Sequence, residues 1–331
     1  MNDSLLRVRD LTVEYSTHKG IGNALDNINL DVREGQVLGL VGESGCGKTT
    51  LGLSIMRLLP RFGRVAQGEI LFKERNLLDL PEKIMNKKIR GREIAMIIQD
   101  PLHALNPVFT IQTQIIDILR FHKDRLLTTQ WKGKQLRNKA INMLEEVGIA
   151  DPLERLTDYP FQFSGGMIQR VMVAMAFNCN PSLLIADEPT TALDVTVEAQ
   201  ILELLKSLVK RYGASVLYIS HDLGVISEIS DRVAVMYAGN IVEYADTKLL
   251  FENPAHPYTE ALLRCLPGAE VRGKRLGTIP GRVPDLTERP KGCKFNPRCP
   301  HVMEICKEKA PTMLDIASDH SVACFRYENH E

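Results

Sequence analysis

The sequence predicts an α/β fold with an antiparallel β subdomain, an inserted helical subdomain and a small C-terminal extension. An apolar run at 36–41 leads into a glycine-rich loop and then a helical pattern, which is the strand–loop–helix unit of parallel sheets. Alternating patterns at about 5–15 and 24–32 predict two antiparallel strands before that unit. A helical period between about 110 and 156 separates these strands from later ones and predicts the helical insertion.

Apolar strand patterns resume after the helical insertion and complete the expected sheet. We expect these strands at 182–187, 214–220, 232–237 and 240–244.

Composition restricts the class of protein. The 331 residues include 41 basic and 41 acidic side chains, and a net charge of zero disfavours a nucleic-acid surface spread over the chain. No uncharged apolar run approaches the roughly 20 residues that span a bilayer, and the least polar stretch, 171–186, is interrupted by Asn178, Asn180 and Pro181. The start at Met1–Ser4 lacks the basic and apolar regions of a signal peptide. We therefore expect a cytoplasmic protein that contains no membrane span.

The stretch GESGCGKT at Gly42–Thr49 matches the phosphate-binding pattern G-x-x-x-x-G-K-[ST]. Its glycines let the backbone direct N–H groups at phosphates, and the following helix N-terminus adds partial positive charge. Lys48 is expected to reach the β- and γ-phosphates, and the Thr49 hydroxyl is expected to ligate Mg²⁺. The loop therefore predicts a site for a nucleoside triphosphate with Mg²⁺. The expected residues of this site are Gly42, Glu43, Ser44, Gly45, Cys46, Gly47, Lys48, Thr49 and Thr50.

A second candidate site follows the apolar run at 183–186, where Asp187 and Glu188 come directly after the strand. Ligands of open α/β sheets bind at the carboxyl ends of the strands. Asp187 is expected to hold the magnesium shell. Glu188 is expected to polarise the attacking water, a role worth roughly 10²–10⁴-fold in rate.

A third candidate element is Ser164-Gly165-Gly166-Met167, at the start of a helical pattern that runs from Met167 to Ala176. The glycines expose backbone N–H groups at the helix start, an arrangement that binds anions. Because the chain has its own phosphate loop, Ser164 is expected to contact a γ-phosphate held by a second such domain. An ordinary N-cap role for Ser164 stays open and is compatible with that contact.

These three elements in this order resemble the ATP-binding cassette (ABC) family, in which two cassettes trap ATP between them. The resemblance implies a head-to-tail dimer, and Leu193-Asp194 matches the family's loop that crosses to the partner cassette. It also implies three roles for single residues. Gln99 would contact Mg²⁺ and transmit its state to the membrane domain. His221 would contact the γ-phosphate, and Tyr15 would stack on adenine.

The run Phe163-Ser164-Gly165-Gly166-Met167 resembles one branch of this family, the first of the two ATPase subunits of peptide importers. The tail strengthens that resemblance. His256-Pro257-Tyr258 and the later runs at 279–284 and 292–300 are similar to the C-terminal extension of oligopeptide and dipeptide importer ATPases. The resemblance therefore covers the whole chain.

Four of the seven cysteines fall in the last 40 residues, and they are Cys293, Cys299, Cys306 and Cys324. Five, six and seventeen residues separate them, whereas paired zinc ligands are usually two to four residues apart. Disulfides are rare in a reducing cytoplasm. The proline after Cys299 and the resemblance to importer ATPases that carry such a group favour a 4Fe-4S cluster, with zinc as the alternative. The cluster would cross-link the tail and so stabilise it.

We therefore predict an ABC nucleotide-binding domain at 1–250, with its helical subdomain at about 108–163, and an importer-type extension at 251–331. The resemblance implies the ATPase subunit of a dipeptide or oligopeptide importer at the cytoplasmic face of the cell membrane. It implies four partners: a second ABC ATPase in a heterodimer, two membrane permeases and an extracytoplasmic binding protein. No nucleic acid is expected.

Two other functions stay open at the level of sequence. Related cassettes import nickel or short oligosaccharides, so the cargo can differ. Non-transport ABC ATPases act in DNA repair or on the ribosome, but those usually carry two cassettes or a long coiled coil in one chain, and this chain has neither.

Overall fold

The computed structural model describes residues 4–122, 133–191, 193–266 and 278–328, without the side chains of Leu102 and His103. The chain divides into two compact units. Unit 1 comprises Met1–Leu78 and Tyr218–Glu331, and unit 2 comprises Asp79–Leu217.

The described strands confirm those predicted from the sequence and add others. They are β1 Ser4–Thr17, β2 Gly20–Arg33, β3 Val37–Val41, β4 Gly63–Phe72, β5 Arg75–Asn76, β6 Ile94–Ile97, β7 Leu183–Asp187, β8 Ser215–Ser220, β9 Arg232–Tyr237, β10 Asn240–Asp246, β11 Leu314–Ala317 and β12 His320–Val322. The described α-helices are α1 Lys48–Met56, α2 Glu82–Ile84, α3 Pro101–Ala104, α4 Ile111–Phe121, α5 Gly133–Glu146, α6 Pro152–Arg155, α7 Gly165–Phe177, α8 Val195–Tyr212, α9 Leu223–Ile229, α10 Thr247–Glu252, α11 Pro257–Arg264 and α12 Glu304–Glu308.

An antiparallel layer in unit 1 is built on β1, which pairs with β2 on one side and β4 on the other. Val8 lies opposite Leu30 in β2 and Ile70 in β4. Val8 and Leu11 are both fully buried although they are an odd number of residues apart. A register shift between them, where Asp10 has a φ of 48°, keeps both side chains on the buried face.

The phosphate loop of unit 1 follows β3, whose five residues are all buried. β3 pairs parallel with β9, and Leu40 lies opposite Ala234. Strands buried on both faces are apolar throughout, which explains the continuous apolar run of β3. The loop thus begins at the carboxyl end of a buried parallel strand, where open α/β sheets bind ligands.

The C-terminal extension adds two strands to the same unit. β10 pairs antiparallel with β9 and, on its other side, with β12, so that Glu243 lies opposite Val322. β11 then pairs antiparallel with β12. Residues 314–322 therefore extend the sheet of unit 1, and Val322 is fully buried there.

Unit 2 contains the parallel pair β6 and β7, with Ile97 opposite Ala186. The predicted helical insertion forms α4, α5 and α6, while residues 123–132 of the predicted helical subdomain lie outside the described residues. The apolar stripe of α4 and α5 is buried, and the Asn178 side chain at the end of α7 donates to the carbonyl oxygen of Ile115 (3.1 Å). In the part of the chain that the structure describes, no helix has the length and apolarity needed to cross a bilayer.

Candidate nucleotide-binding site

The phosphate loop curls around the side chain of Lys48. The Nζ atom donates to the carbonyl oxygens of Gly42 (2.7 Å) and Glu43 (3.2 Å), and the side chain is buried. A Cβ atom at Gly42 would collide with the carbonyl oxygen of Met236, and Gly47 has a φ of 115°, so both positions require glycine. The loop therefore combines an ammonium group with the N-terminus of α1, as anion binding requires.

Cys46 lies inside this curl and is fully buried. Burial raises the pKa of its thiol, and this effect outweighs the nearby Lys48 ammonium, which would lower it. The thiol is therefore neutral and acts as a packing group.

Tyr15 lies beside the helix that follows the loop. Its hydroxyl group forms a hydrogen bond with Oγ1 of Thr50 at 3.1 Å, and its ring packs edge-on against Phe62 with 5.3 Å between ring centroids. Two residues predicted to bind the nucleotide are thus in direct contact. Stacking of Tyr15 on adenine stays a prediction.

His221 is exposed between β8 and α9 of unit 1. The turn around it is ordered by hydrogen bonds, because Ser220 Oγ accepts the N–H of Asp222 (2.9 Å) and the Asp222 carboxylate accepts the N–H of Gly224 (2.7 Å). Asp222 is therefore the N-cap of α9. The contact of His221 with a γ-phosphate stays a prediction.

Gln99 and Glu188 are brought together in unit 2. The Nε2 atom of Gln99 donates to Oε2 of Glu188 at 2.8 Å, and the Thr191 hydroxyl donates to the same oxygen at 3.1 Å. Asp187 is the buried last residue of β7. Glu188 has a φ of 47°, a left-handed conformation that is unfavourable for a non-glycine residue and often occurs at functional sites. Gln99 and Glu188, two of the predicted magnesium and water residues, are therefore in direct contact, and Asp187 directly precedes Glu188.

Ser164 and Asp194 both act as helix N-caps. The Ser164 hydroxyl accepts the N–H of Met167 (3.3 Å), and the Asp194 carboxylate accepts the N–H of Val197 (3.0 Å). A Cβ atom at Gly166 would lie 2.8 Å from Val197, so close packing explains that glycine. The N-cap role of Ser164 is confirmed. Its contact with a partner's nucleotide, and the role of Asp194 in a dimer, stay predictions.

The His-Pro-Tyr run of the tail packs on a buried carboxylate that no sequence pattern indicated. Glu243 is fully buried and accepts the N–H of Ala255 (2.8 Å), the N–H of His256 (2.8 Å) and a hydrogen bond from Nε2 of His320 (2.7 Å). Nδ1 of His256 accepts the N–H of Tyr258 (3.0 Å), and burial lowers the pKa of His256 to about 4. His256 is therefore neutral and serves as the N-cap of α11.

The tail also contacts the phosphate loop directly. The hydroxyl oxygen of Tyr258 accepts the backbone N–H of Glu43 at 2.8 Å, and the Arg298 guanidinium binds the Glu43 carboxylate at 2.7 and 3.0 Å. These partners are 215 and 255 positions from Glu43. Local patterns carry no signal for such contacts, so neither residue was predicted as part of the site.

The four tail cysteines line one small cavity in unit 1, together with His256 and other side chains. They are not disulfide-bonded. Burial raises the pKa of Cys293 to about 11, and it also raises the pKa of Cys299 and Cys324. Within the described residues, no group of three or more histidine, cysteine or acidic side chains is close enough to hold a metal ion. The four thiols thus line one cavity, whereas the metal-binding group predicted for them is not found among the described residues.

The fold and the loop define a phosphate-loop nucleotide-binding protein. Residues 25–191 match the family model described as ABC transporter. Residues 242–306 match the model described as oligopeptide/dipeptide transporter, C-terminal region. The chain therefore belongs to the ABC transporter family, and the resemblance predicted from its motifs is confirmed.

Similar proteins agree with this assignment over nearly the whole chain. A probable peptide ABC transporter ATP-binding protein of Sinorhizobium fredii is 48% identical over 326 residues, which cover 98% of this chain and 95% of the relative. The dipeptide transport ATP-binding protein DppD of Bacillus subtilis is 45% identical, with coverage of 98% and 95%. A dimeric ATP-binding cassette bound to ADP and Pi is structurally similar, with a TM-score of 0.64, 27% identity and coverage of 73% of this chain and 98% of that one.

Proposed function

We propose that this chain is the ATPase subunit of an ABC importer for dipeptides or oligopeptides. One observation carries the proposal: a phosphate loop closed around Lys48 occurs in the same chain as the oligopeptide/dipeptide transporter C-terminal region at 242–306. Relatives named for peptide and dipeptide transport match nearly all of the chain. ATP binding and hydrolysis would drive the import.

The proposed ATP site combines the phosphate loop with the residues expected to hold Mg²⁺ and water. Lys48 and the N-terminus of α1 suit a polyphosphate, because they offer an ammonium group and partial positive charge beside one glycine-rich loop. Thr49, Asp187 and Gln99 would supply oxygen ligands for Mg²⁺, which prefers such donors. Glu188 would orient and polarise the attacking water, and its hydrogen bond from Gln99 supports this role because it holds the carboxylate in a defined position.

A second cassette would complete each ATP site. In this proposal Ser164, Gly165, Gly166 and Met167 face the nucleotide of the partner, and Asp194 lies in the loop that crosses to it. The start of α7 supports this, because exposed Ser164 is its N-cap and two glycines are its first two residues. We propose a heterodimer with a different ATPase subunit, as the Phe163–Met167 run resembles the first of two importer ATPases.

Two membrane permeases would dock on the helical subdomain of unit 2, proposed at about 108–163. Three apolar side chains near its start and end are largely exposed: Val108 at 69%, Phe109 at 50% and Phe161 at 75%. Two backbone hydrogen bonds, from Ile111 to Asp158 and from Gln112 to Leu156, hold these segments side by side. An exposed apolar patch of this kind is typical of a protein-binding surface.

The remaining partners and the location follow from the same proposal. A peptide importer needs an extracytoplasmic binding protein that selects the cargo. The ATPase would then act as a peripheral protein at the cytoplasmic face of the cell membrane. We propose the domain boundaries as 1–250 for the nucleotide-binding domain and 251–331 for the extension.

We propose further that the four tail cysteines, Cys293, Cys299, Cys306 and Cys324, hold a 4Fe-4S cluster as thiolate ligands. Their position around one cavity supports this. A single zinc ion needs four ligand atoms within about 2.3 Å of one point, whereas a cluster spreads its cysteine ligands over four irons. The cluster would cross-link a segment with few regular elements and so stabilise the tail.

Uptake by cells tests the proposed function. In a strain lacking this gene, we expect uptake of labelled dipeptides or oligopeptides to be lost, because each proposed ATP site needs both cassettes of the dimer. The wild-type gene should restore it and Lys48→Ala should not, since the variant loses the ammonium group of the phosphate loop. Normal peptide uptake together with lost uptake of nickel or short oligosaccharides would overturn the peptide cargo in favour of those alternatives.

Metal analysis tests the cluster. Protein purified without oxygen should contain about four iron and four sulfide per chain and be brown, as the cluster stoichiometry requires. A variant with Cys299 and Cys324 replaced by serine should lose both iron and colour, whereas replacing Cys265, which does not line the cavity, should change neither. Zinc without iron would contradict the cluster and leave the ATPase assignment intact.

A further inference from the structure

We propose that Arg298 is a positioning residue for the nucleotide site, one that holds Glu43 and thereby makes the geometry of the phosphate loop depend on the C-terminal extension. The inference rests on the proposed function, because it presumes that ATP binds at this loop. It concerns a contact that neither the loop motif nor the tail motif contains.

The guanidinium of Arg298 is saturated with partners. It binds both carboxylate oxygens of Glu43, at 2.7 and 3.0 Å, in the fork geometry that is strongest for this pair. The carbonyl oxygens of Pro280 (2.8 Å) and Ile279 (3.3 Å) and the hydroxyl of Tyr237 (3.3 Å) accept its other hydrogen bonds. Burial alone would lower the pKa of Arg298, but the bonds to Glu43 and Tyr237 outweigh it and the net shift is upward.

The arginine of this pair is shielded from water, and the glutamate is partly exposed. The side chain of Arg298 is 4% exposed and that of Glu43 is 28% exposed. Exposed ion pairs contribute little, but removing one partner of a buried, hydrogen-bonded pair leaves a charge without compensation. The Glu43 carboxylate is therefore fixed in place by the tail rather than free to sample other conformations.

The backbone of Glu43 is held as well. Its N–H donates to the hydroxyl of Tyr258, which is fully buried, and its carbonyl oxygen accepts a hydrogen bond from Lys48 (3.2 Å). Side chain and backbone of one loop residue thus contact the tail, while the same residue contacts the phosphate-binding lysine. A continuous chain of contacts runs from Arg298 through Glu43 to Lys48.

Arg298 also belongs to the segment that carries the cysteines. It directly precedes Cys299, which lines the cysteine cavity, and it lies in the short helical turn Asn296–Arg298. The guanidinium can therefore reach the loop only when this segment is folded. A role limited to holding the tail in place would leave nucleotide affinity unchanged, so the two roles can be separated by measurement.

The test is the affinity of the full-length protein for N-methylanthraniloyl-ATP with Mg²⁺, followed by fluorescence. We expect Arg298→Gln and Glu43→Gln each to weaken binding by about tenfold, the order expected for loss of a charged hydrogen bond. Because both act through one contact, the double variant should bind no more weakly than either single variant. The affinity of Arg298→Lys should lie between those of wild type and Arg298→Gln. Lysine keeps the positive charge but cannot bind both carboxylate oxygens as the guanidinium does.

Arg9→Gln is the matched control, because Arg9 also binds a carboxylate with two contacts, to Asp31 at 2.7 and 2.8 Å, away from the loop. We expect the affinity of Arg9→Gln for the nucleotide to be within twofold of that of wild type. The KM for ATP should rise in Arg298→Gln while kcat at saturating ATP changes less.

The possible results distinguish a failure of the proposed function from a failure of the positioning role. If wild type binds no nucleotide, the proposed function fails. If wild type binds and Arg298→Gln binds within twofold of it, or if the losses of the two single variants multiply in the double variant, the positioning role is overturned. Should Arg298→Gln fail to give a cooperative unfolding transition, Glu43→Gln and Arg298→Lys decide, and binding within twofold of wild type in both would overturn the inference.

Discussion

Glu188→Gln is expected to lower the rate of ATP hydrolysis by roughly 10²–10⁴-fold, the contribution of a positioned general base, while ATP binding is retained. Glutamine has the same shape as glutamate and can still accept a hydrogen bond from the Thr191 hydroxyl, but it cannot take a proton from water. The variant keeps the donors of the phosphate loop, which belong to another part of the chain. Phosphate release at saturating ATP and binding of N-methylanthraniloyl-ATP are the two measurements.

Glu203→Gln supplies the control for this prediction. Glu203 is another glutamate of unit 2, is exposed on α8 and pairs with Lys206 (2.9 Å). We expect its hydrolysis rate to match wild type. Wild-type turnover in Glu188→Gln would show that another group activates the water, and loss of binding would show that Glu188 mainly supports the nucleotide.

The elements that could be predicted from the sequence are those whose signal is local. β3 is a run of five buried residues, and α1 begins at the lysine of a pattern with a fixed spacing. β4 was not predicted, since most of its first seven residues are exposed and only its end carries buried apolar residues. β11 and β12 were missed because strands of four and three residues are stabilised by pairing with each other and, for β12, with distant β10 rather than by their own pattern.

In the candidate site, too, only features with a local sequence signal could be predicted. Lys48, Asp187 and Glu188 follow from short motifs, whereas the hydrogen bond between Gln99 and Glu188 joins positions 89 apart. The sequence could indicate each residue, but not the contact. The link from Arg298 to Glu43 was hidden for the same reason, because an arginine in a proline-rich tail is ordinarily a surface residue.

The burial of Glu243 could not be predicted for a different reason. In the pattern Asn-Ile-Val-Glu-Tyr an acidic residue predicts a solvent-facing position of the strand. The structure buries it completely, because the tail returns over β10 and brings three N–H donors to its carboxylate. Only tertiary structure supplies these donors, which compensate for the cost of burying the carboxylate.

Glu243→Gln is accordingly expected to lower the free energy of unfolding by about 3 kcal/mol, within the range for a buried polar group that loses its partners. The carboxylate accepts hydrogen bonds at both oxygens, from Ala255 and His320 at Oε1 and from His256 at Oε2. An amide has only one oxygen, so its NH₂ group must face at least one N–H donor without a hydrogen bond. Equilibrium unfolding in urea, followed by circular dichroism, measures the change.

Asp315→Asn is the control for the stability measurement, because Asp315 is an exposed carboxylate of the same extension that accepts a hydrogen bond from the Ser321 hydroxyl (2.6 Å). We expect a change within about 0.5 kcal/mol, as is usual for surface substitutions. An equally small change in Glu243→Gln would mean that the three donors do not need a carboxylate. A large change confined to Glu243→Gln would instead show that the His-Pro-Tyr run is held to the sheet through this one side chain. The position of Tyr258 against the phosphate loop would then depend on the same carboxylate, since Tyr258 is two residues after His256, whose N–H Glu243 binds.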